Sequence, residues 1–468
     1  MDRMDCRLTP PPSDRMHALD VDTLKLREEV FDYARRRMNY EPAPLDASRS
    51  PEELAALIPP TVTEAGLGGL PALKIFEDVL APSCISVDNP GFLSFIPAAP
   101  TEAATLFDLI VSASSIYGGS WAEGAGAVYA ENEVLTWLAR ETGLPAGAGG
   151  VFVQGGTLGN LSALVAARHT ARMERERLGE PLPRRWAFAC SAEAHSSLKS
   201  AARVMDVDII PVPIGDSGKM RGPDVEETVS DWDGVFAVVA TAGTTNFGIV
   251  DDLRSVGEVA HTNNAWFHVD GAYGLAGILA PSTRDLFDGV DQADSFIVDP
   301  HKWLFAPFDA CALVYRNPSL AKAAHTQHAE YLDVLTETGD WNPSDYAYHL
   351  SRRPRGLPLW FSLATHGVGA YRDAVESNIQ LARQIAAEIE RRPGMALVRQ
   401  PELSNVVFTR DGWSANDYAQ WSNDLLRRDI AFVVPSSHLG QPNTRFSIVN
   451  PQTTFETLVK ILDTMEKI

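Results

Sequence analysis

Seven short apolar runs, separated by stretches of helical texture, constrain this chain more than any other feature. They read VFVQ (151–154), WAFAC (186–190), DIIPVP (208–213), VFAVVAT (235–241), WFHVD (266–270), SFIVD (295–299) and CALVY (311–315). Runs of this length and β-branched content are strands buried on both faces, and their alternation with helices predicts a largely parallel α/β sheet covered by helices. Ligands of such sheets gather at the carboxyl ends of the strands, so the residues just past each run are the first candidates for chemistry.

The flanks differ in texture. VDTLKLREEVFDYARRRMN (21–39) and PEELAALIPP (51–60) read as amphipathic helices, the second bracketed by proline. Residues 1–92 are therefore expected to be an N-terminal helical segment, 93–357 a large sheet domain and 358–468 a small α+β domain. Within the last, Val375, Ile379, Ala382, Ala386 and Ile389 recur at helical spacing, and LSNVVFTR, IAFVVP and TRFSIV read as strands.

The formal charge of -21 argues against nucleic acid or an anionic membrane as partner and favours a small molecule. Cys6, Cys84, Cys190 and Cys311 are far apart with no C-x-x-C pair, so neither a disulfide framework nor a metal site is expected. The polar, Pro-rich beginning lacks a signal-peptide apolar run and no stretch reaches transmembrane length, so a cytoplasmic location is expected.

Four strand ends carry candidate chemistry. QGGTLGNLSALVAAR (154–168) sets glycines and Thr157 at the start of a helix, where bare amides suit a phosphate, although such turns are often only structural. Asp270 ends WFHVD and suits a cationic ring nitrogen or the cap of a following helix. His195, in CSAEAHSSLKSA, is either a structural histidine or a flat face for an aromatic ring. Lys302, in DPHKWLF, either reaches solvent or forms an imine. A phosphate cradle, a ring-nitrogen partner, a stacking face and an imine-forming amine are together what pyridoxal phosphate requires.

On the segments PEELAALIPP, GSWAEGAGAVYAENEVLTWL, ATAGTTNFGIVDD, HVDGAYG, VDPHKWLF and TRFSIVNPQTT, the chain resembles the group II pyridoxal-phosphate-dependent amino acid decarboxylases over nearly its whole length. The resemblance implies the PLP-dependent transferase fold type I, a mostly parallel mixed sheet with helices on both faces. It implies that Lys302 forms the imine, Asp270 partners the ring nitrogen, Ala272 lies beneath the ring and His195 stacks opposite. Gly156, Thr157 and His301 would contact the phosphate, and Thr244 would sit near the cofactor hydroxyl and substrate. Tyr331 resembles the loop tyrosine that returns a proton to Cα, where phenylalanine favours aldehyde formation. Asp299, where the family often has Asn, receives no cofactor role.

On the same resemblance Phe95, Ile96, Pro97 and Ala98 line the side-chain pocket, with Phe308 beyond the lysine. The SIYGGSW segment, with Tyr117 and Gly119, is donated across a two-fold interface, implying a homodimer with composite active sites and N-terminal helices packed on the partner. Ser351 falls at a position that varies with substrate. The expected reaction is decarboxylation of an aromatic L-amino acid (Trp, Tyr, Phe or dopa). The alternatives are an acidic substrate (glutamate, sulfinoalanine) or diaminobutyrate, an aldehyde synthase, and a non-catalytic cofactor-binding scaffold.

Overall fold

The computed structural model describes residues 16–40, 42–327 and 340–465. The chain divides into two compact units, Met1–Asn89 with Leu426–Ile430, and Pro90–Leu425 with Ala431–Ile468.

In the first unit, the helix Val21–Met38 starts at Asp20, whose carboxylate accepts the Thr23 amide at 2.8 Å. Its last turn carries Arg35, Arg36 and Arg37, the sign that the helix dipole favours. The helix Pro51–Leu57 opens with a capping box, in which Ser50 and Glu53 each accept the other's amide. No residue of either helix is buried.

The second unit is built on seven strands: β1 (Gly149–Val153), β2 (Ala187–Ser191), β3 (Asp208–Val212), β4 (Val235–Thr241), β5 (Trp266–Asp270), β6 (Ser295–Val298) and β7 (Cys311–Tyr315), in the order β1-β7-β6-β5-β4-β2-β3. The pairs among β3, β2, β4, β5 and β6 are parallel, and β7 runs antiparallel to both its neighbours. This is the mixed sheet of the expected fold type, and every apolar run named above overlaps one strand. Side chains alternate between two cores: Val238 and Ala240 face the cluster containing Trp137 and Phe267, while Ala237 and Val239 face the cluster with Leu164 and Leu198. Each fully buried valine or phenylalanine contributes about 1.5–3 kcal/mol relative to exposure, so these two layers fix the strand register.

Because β1 and β6 both lie antiparallel to β7, the carboxyl ends of β1, β2, β4, β5 and β6 all lie at one edge. That edge carries every candidate named in the strand-end analysis. The helix Leu357–Arg391 follows, with Val375, Ile379, Ala382, Ala386 and Ile389 all buried and a kink at Gly367, whose φ of 76° favours glycine.

A four-stranded antiparallel sheet closes the unit, in the order β10 (Pro435–His438), β11 (Gln441–Ser447), β9 (Asn405–Arg410), β8 (Met395–Leu397). The run IAFVVP departs from the strand expected there. Ala431 and Val433 are buried, but the backbone forms only a parallel bridge to Phe92, exchanging Leu93 N–H to Phe432 O and Phe432 N–H to Gly91 O. Its partner is an irregular segment over 300 residues away in the chain, so local composition reads as a strand where the ladder is one bridge long.

Candidate active site

A cavity of about 280 Å³ opens at the carboxyl edge of the sheet. Gly156, Thr157, His195, Thr244, Asp270, Ala272, His301, Lys302 and Phe308 all line it. Asp270 is the last residue of β5, and Lys302 sits four residues past the end of β6. His195 caps the helix Ser196–Met205 after β2, and Gly156 begins the helix Gly156–Leu178 after β1. A Cβ at Gly156 would lie 3.1 Å from Ala272 Cβ and 3.2 Å from Asp299 Oδ2. Glycine is what lets this helix start come so close to the ends of β5 and β6.

Lys302 lies on a short helical turn, Pro300–Trp303, held by its neighbour Trp303. That indole is fully buried, stacks on Tyr273 with centroids 5.5 Å apart and donates to Asn378 at 2.9 Å. The ammonium has one close carboxylate, Asp299 Oδ2 at 2.8 Å. Burial pulls the Lys302 pKa down, but the charge and hydrogen bond of Asp299 outweigh it and leave the group above its ordinary value. Burial lowers the His301 pKa, and its Nδ1 lies 2.7 Å from the Ala310 carbonyl.

Asp299 is a residue whose place sequence reasoning missed. Only 2% exposed, it accepts the Gly156 amide at 3.3 Å and stands 3.8 Å from His301 Nε2, while its Oδ1 is buried with no hydrogen-bond partner among the described residues. An anion on the Gly156 amide must therefore displace or share with this carboxylate. Asp299 faces Lys302, His301 and Cys311, and Asp270 also acts on Lys302. Substituting Asp299→Asn removes the main pull that holds the Lys302 pKa up and leaves burial, which lowers it, opposed by the weaker pull of Asp270. Because a neutral amine is needed to attack an aldehyde, the pH midpoint for pyridoxal phosphate incorporation is expected to fall, with a rate gain below the midpoint of about tenfold per pH unit moved. Stopped-flow absorbance across pH checks this, and a midpoint that stays or rises contradicts it.

Asp270 is 5% exposed, with Asn160 Nδ2 donating to Oδ2 at 2.9 Å and the Ala272 amide donating to Oδ1 at 3.2 Å. Asn160 and Ser197 were not singled out by the sequence reading. One signal was available for His268, which lies two residues before Asp270 and so on the same face of β5.

Phe308 aside, the residues expected to form the substrate side lie elsewhere. Phe95 is exposed, with its ring 6.3 Å from Phe432, while Ile96, Pro97 and Ala98 are buried and none of the four lines the cavity. Tyr117 donates to Leu350 O at 3.2 Å, and a Cβ on Gly119 would lie 2.3 Å from its hydroxyl. The tyrosine ring thus fills the space beside Gly119. Ser351 is exposed. Neither Tyr117, Gly119 nor Ser351 borders the cavity of this chain. Tyr331 lies outside the described residues.

The donor set fits pyridoxal phosphate: an amide at the start of a 23-residue helix for the phosphate, a buried carboxylate for the ring nitrogen, a small residue and an imidazole at the ring faces, and a lysine amine. Comparison with known proteins agrees. Residues 51–410 match the family model described as the pyridoxal-dependent decarboxylase conserved domain. The chain is 30% identical to the aromatic-L-amino-acid decarboxylase of Sus scrofa, over 85% of this chain and 86% of that one. It is 29% identical to the enzyme of the same name from Bacillus atrophaeus, over 80% of each. The structure of Oryza sativa TDC with PLP and tryptamine superimposes with a TM-score of 0.86 at 24% identity, covering 96% of this chain and 98% of that one. Relatives of 26% to 29% identity include a histidine decarboxylase (Drosophila melanogaster), an L-2,4-diaminobutyrate decarboxylase (Acinetobacter baumannii) and a 4-hydroxyphenylacetaldehyde synthase (Rhodiola rosea), over 76% to 88% of this chain.

Proposed function

Because this chain belongs to the pyridoxal-dependent decarboxylase family, and is a carboxy-lyase dependent on pyridoxal phosphate, we propose that it converts an aromatic L-amino acid to its amine and carbon dioxide. The observation that carries this reading is a second cavity, of about 640 Å³, which shares Glu193, His195, Thr244 and Thr245 with the first. Ile214, Phe247, Ile249, Val398 and Leu439 give it an apolar wall suited to a flat ring. Its arginine, Arg399, donates to Ser217 O at 2.9 Å and lies 3.8 Å from Glu402. Phe308 adds an exposed ring at the first cavity, 5.0 Å from that of His301.

One observation favours the acidic alternative. Arg445, 7% exposed, donates to the carbonyls of Thr245 and Phe95, so a guanidinium lies next to the Phe95 backbone. Its donors are directed at backbone oxygens, which leaves fewer of them for a side-chain carboxylate than an uncommitted arginine would offer.

When bound, pyridoxal phosphate supplies a protonated ring that draws in the electron pair left as carbon dioxide departs. The chain's residues arrange this. Asp270 would hold the proton at the ring nitrogen, Gly156, Thr157 and His301 would hold the phosphate, and Ala272 and His195 would flank the ring. Lys302 would supply the amine for the aldehyde, and Thr244, which lines both cavities, would face the substrate. Tyr331 is assigned the return of a proton to Cα. For Tyr331→Phe, less amine and more aldehyde with ammonia are expected, and an unaltered product ratio by chromatography counts against that role.

The active assembly is read as a homodimer. Leu106, Leu109 and Ile110 on the helix Glu102–Ser114 are each 41% to 49% exposed, and Phe95, Tyr129 and Tyr348 are exposed as well, an apolar surface that a second copy would cover. Cys84, Cys190 and Cys311 are free thiols, which suits the reducing cytoplasm. Among the described residues, no helix is long and apolar enough to cross a membrane.

The test is a panel of L-amino acids given to the purified holoenzyme, with carbon dioxide and amine measured. Turnover of tryptophan, tyrosine, phenylalanine or dopa at least about a hundredfold above glutamate is expected, since an apolar wall leaves a side-chain carboxylate unpaired. Preference for an acidic or diamino substrate overturns the substrate reading.

A further inference from the structure

We propose that Asn160 is a positioning residue that ties Asp270 and His195 into one hydrogen-bond system of fixed direction. The inference deepens the cofactor reading and rests on it.

Asn160 is 1% exposed and lies one helical turn beyond Gly156. Its Nδ2 has two hydrogens and two acceptors, Asp270 Oδ2 at 2.9 Å and Ser197 Oγ at 3.0 Å. Flipping the amide would set its oxygen against the Asp270 carboxylate, so this orientation is dictated by charge. Asn160 Oδ1 must then accept, and the group in reach is His268 Nε2 at 2.9 Å, which therefore carries the ring proton. His268 Nδ1 is left bare and takes the hydroxyl hydrogen of Ser295 at 2.8 Å. Ser295 can give it, because its oxygen already accepts the Trp266 indole N–H at 2.8 Å. Burial pushes the His268 pKa down to about 4, consistent with a neutral ring.

The second branch follows by the same counting. Ser197 Oγ accepts from Asn160, so its hydrogen goes to His195 Nδ1 at 2.9 Å, and that nitrogen also accepts the Ser197 amide at 3.2 Å. Nδ1 of His195 is therefore bare and its proton sits on Nε2. The directions in the His268 branch and of the Ser197 hydroxyl trace to one requirement, that Asn160 donate to the Asp270 carboxylate, and the Ser197 amide reinforces the bare Nδ1 of His195. Asp270 is thereby kept as an acceptor at Oδ2, as the Ala272 amide keeps it at Oδ1, and the Ser197 hydroxyl adds to the hold on one His195 tautomer. Asn160→Asp has the same shape and still accepts from His268, but it carries at most one hydrogen, shared with the Asp270 carboxylate, so it can no longer donate to both Asp270 and Ser197.

The experiment is 15N NMR of the holoenzyme labelled at the histidine rings, with the His195 and His268 signals assigned from His195→Gln and His268→Gln. In the unsubstituted protein near neutral pH, both rings are expected to be neutral with the proton on Nε2. In Asn160→Asp, the His195 signals are expected to move toward a mixture of tautomers, and pyridoxal phosphate to dissociate with a Kd about tenfold or more higher. A proton on His268 Nδ1 in the unsubstituted protein overturns the proposal without any variant having to fold. An unmoved His195 pattern together with a Kd within about twofold in Asn160→Asp overturns it as well. Failure of the unsubstituted protein to bind pyridoxal phosphate would instead defeat the cofactor reading, whatever the tautomers.

Discussion

Replacing Lys302 with alanine is expected to lower kcat/KM by about 10⁴-fold or more, the scale on which enzymes lose rate with their covalent nucleophile. Lys302 is the one lysine among the described residues lining the cavity. Its amine is held 2.8 Å from Asp299 by a turn anchored through fully buried Trp303, so a neighbouring amine cannot readily take its place. Lys302→Arg separates charge from nucleophilicity: it keeps a cation beside Asp299 but offers no amine for the aldehyde, and an equal loss is expected. Both variants should also lose the visible absorbance that the bound cofactor gives the native enzyme. A Lys302→Ala enzyme that keeps more than about 1% of activity with its absorbance unchanged would show that another amine does the work.

The second large effect is expected from Asp270→Asn. The amide keeps the shape of the side chain and removes its charge, so the ring nitrogen loses the group that holds its proton. A fall in kcat of about 10³-fold is expected, the upper range for deleting one preorganised electrostatic partner. The substituted side chain would also meet Asn160 Nδ2 with a neutral acceptor at best, which weakens cofactor binding. Reconstitution with pyridoxal phosphate methylated at the ring nitrogen, which carries a permanent positive charge, should restore part of the rate to Asp270→Asn and none to Lys302→Ala. Equal rescue of both, or of neither, contradicts the distinct roles assigned to the two residues.

Much of this was legible in the sequence because it is local. The seven sheet strands are short apolar runs whose ends coincide with a change of chemistry, and Lys302, Asp270, His195 and Gly156 each fall within a few residues of such an end. The long helix was readable because five buried positions repeat on one face. What escaped reading depends on partners distant in sequence. Asn160 meets Asp270 across 110 residues and His268 across 108, and Asp299 meets Gly156 across 143. An asparagine on a helix and a serine at a strand start carry no signal of their own until the sheet brings them together. Asp299 receives no cofactor role from the sequence, which carries no sign of its ion pair with Lys302 or of its reach to the Gly156 amide. The IAFVVP run was misread for the related reason that strand formation needs a partner strand, and 91–94 supplies one bridge.

The account stands most directly on which atom of the chain bonds the cofactor. Reducing the native holoenzyme with borohydride, digesting it and mapping the peptides by mass spectrometry reads that atom out. The predicted result is a pyridoxyl group on the lysine of the DPHKWLF segment, Lys302, at close to one per chain. A modified lysine anywhere else, or cofactor released with no chain modified, would contradict it.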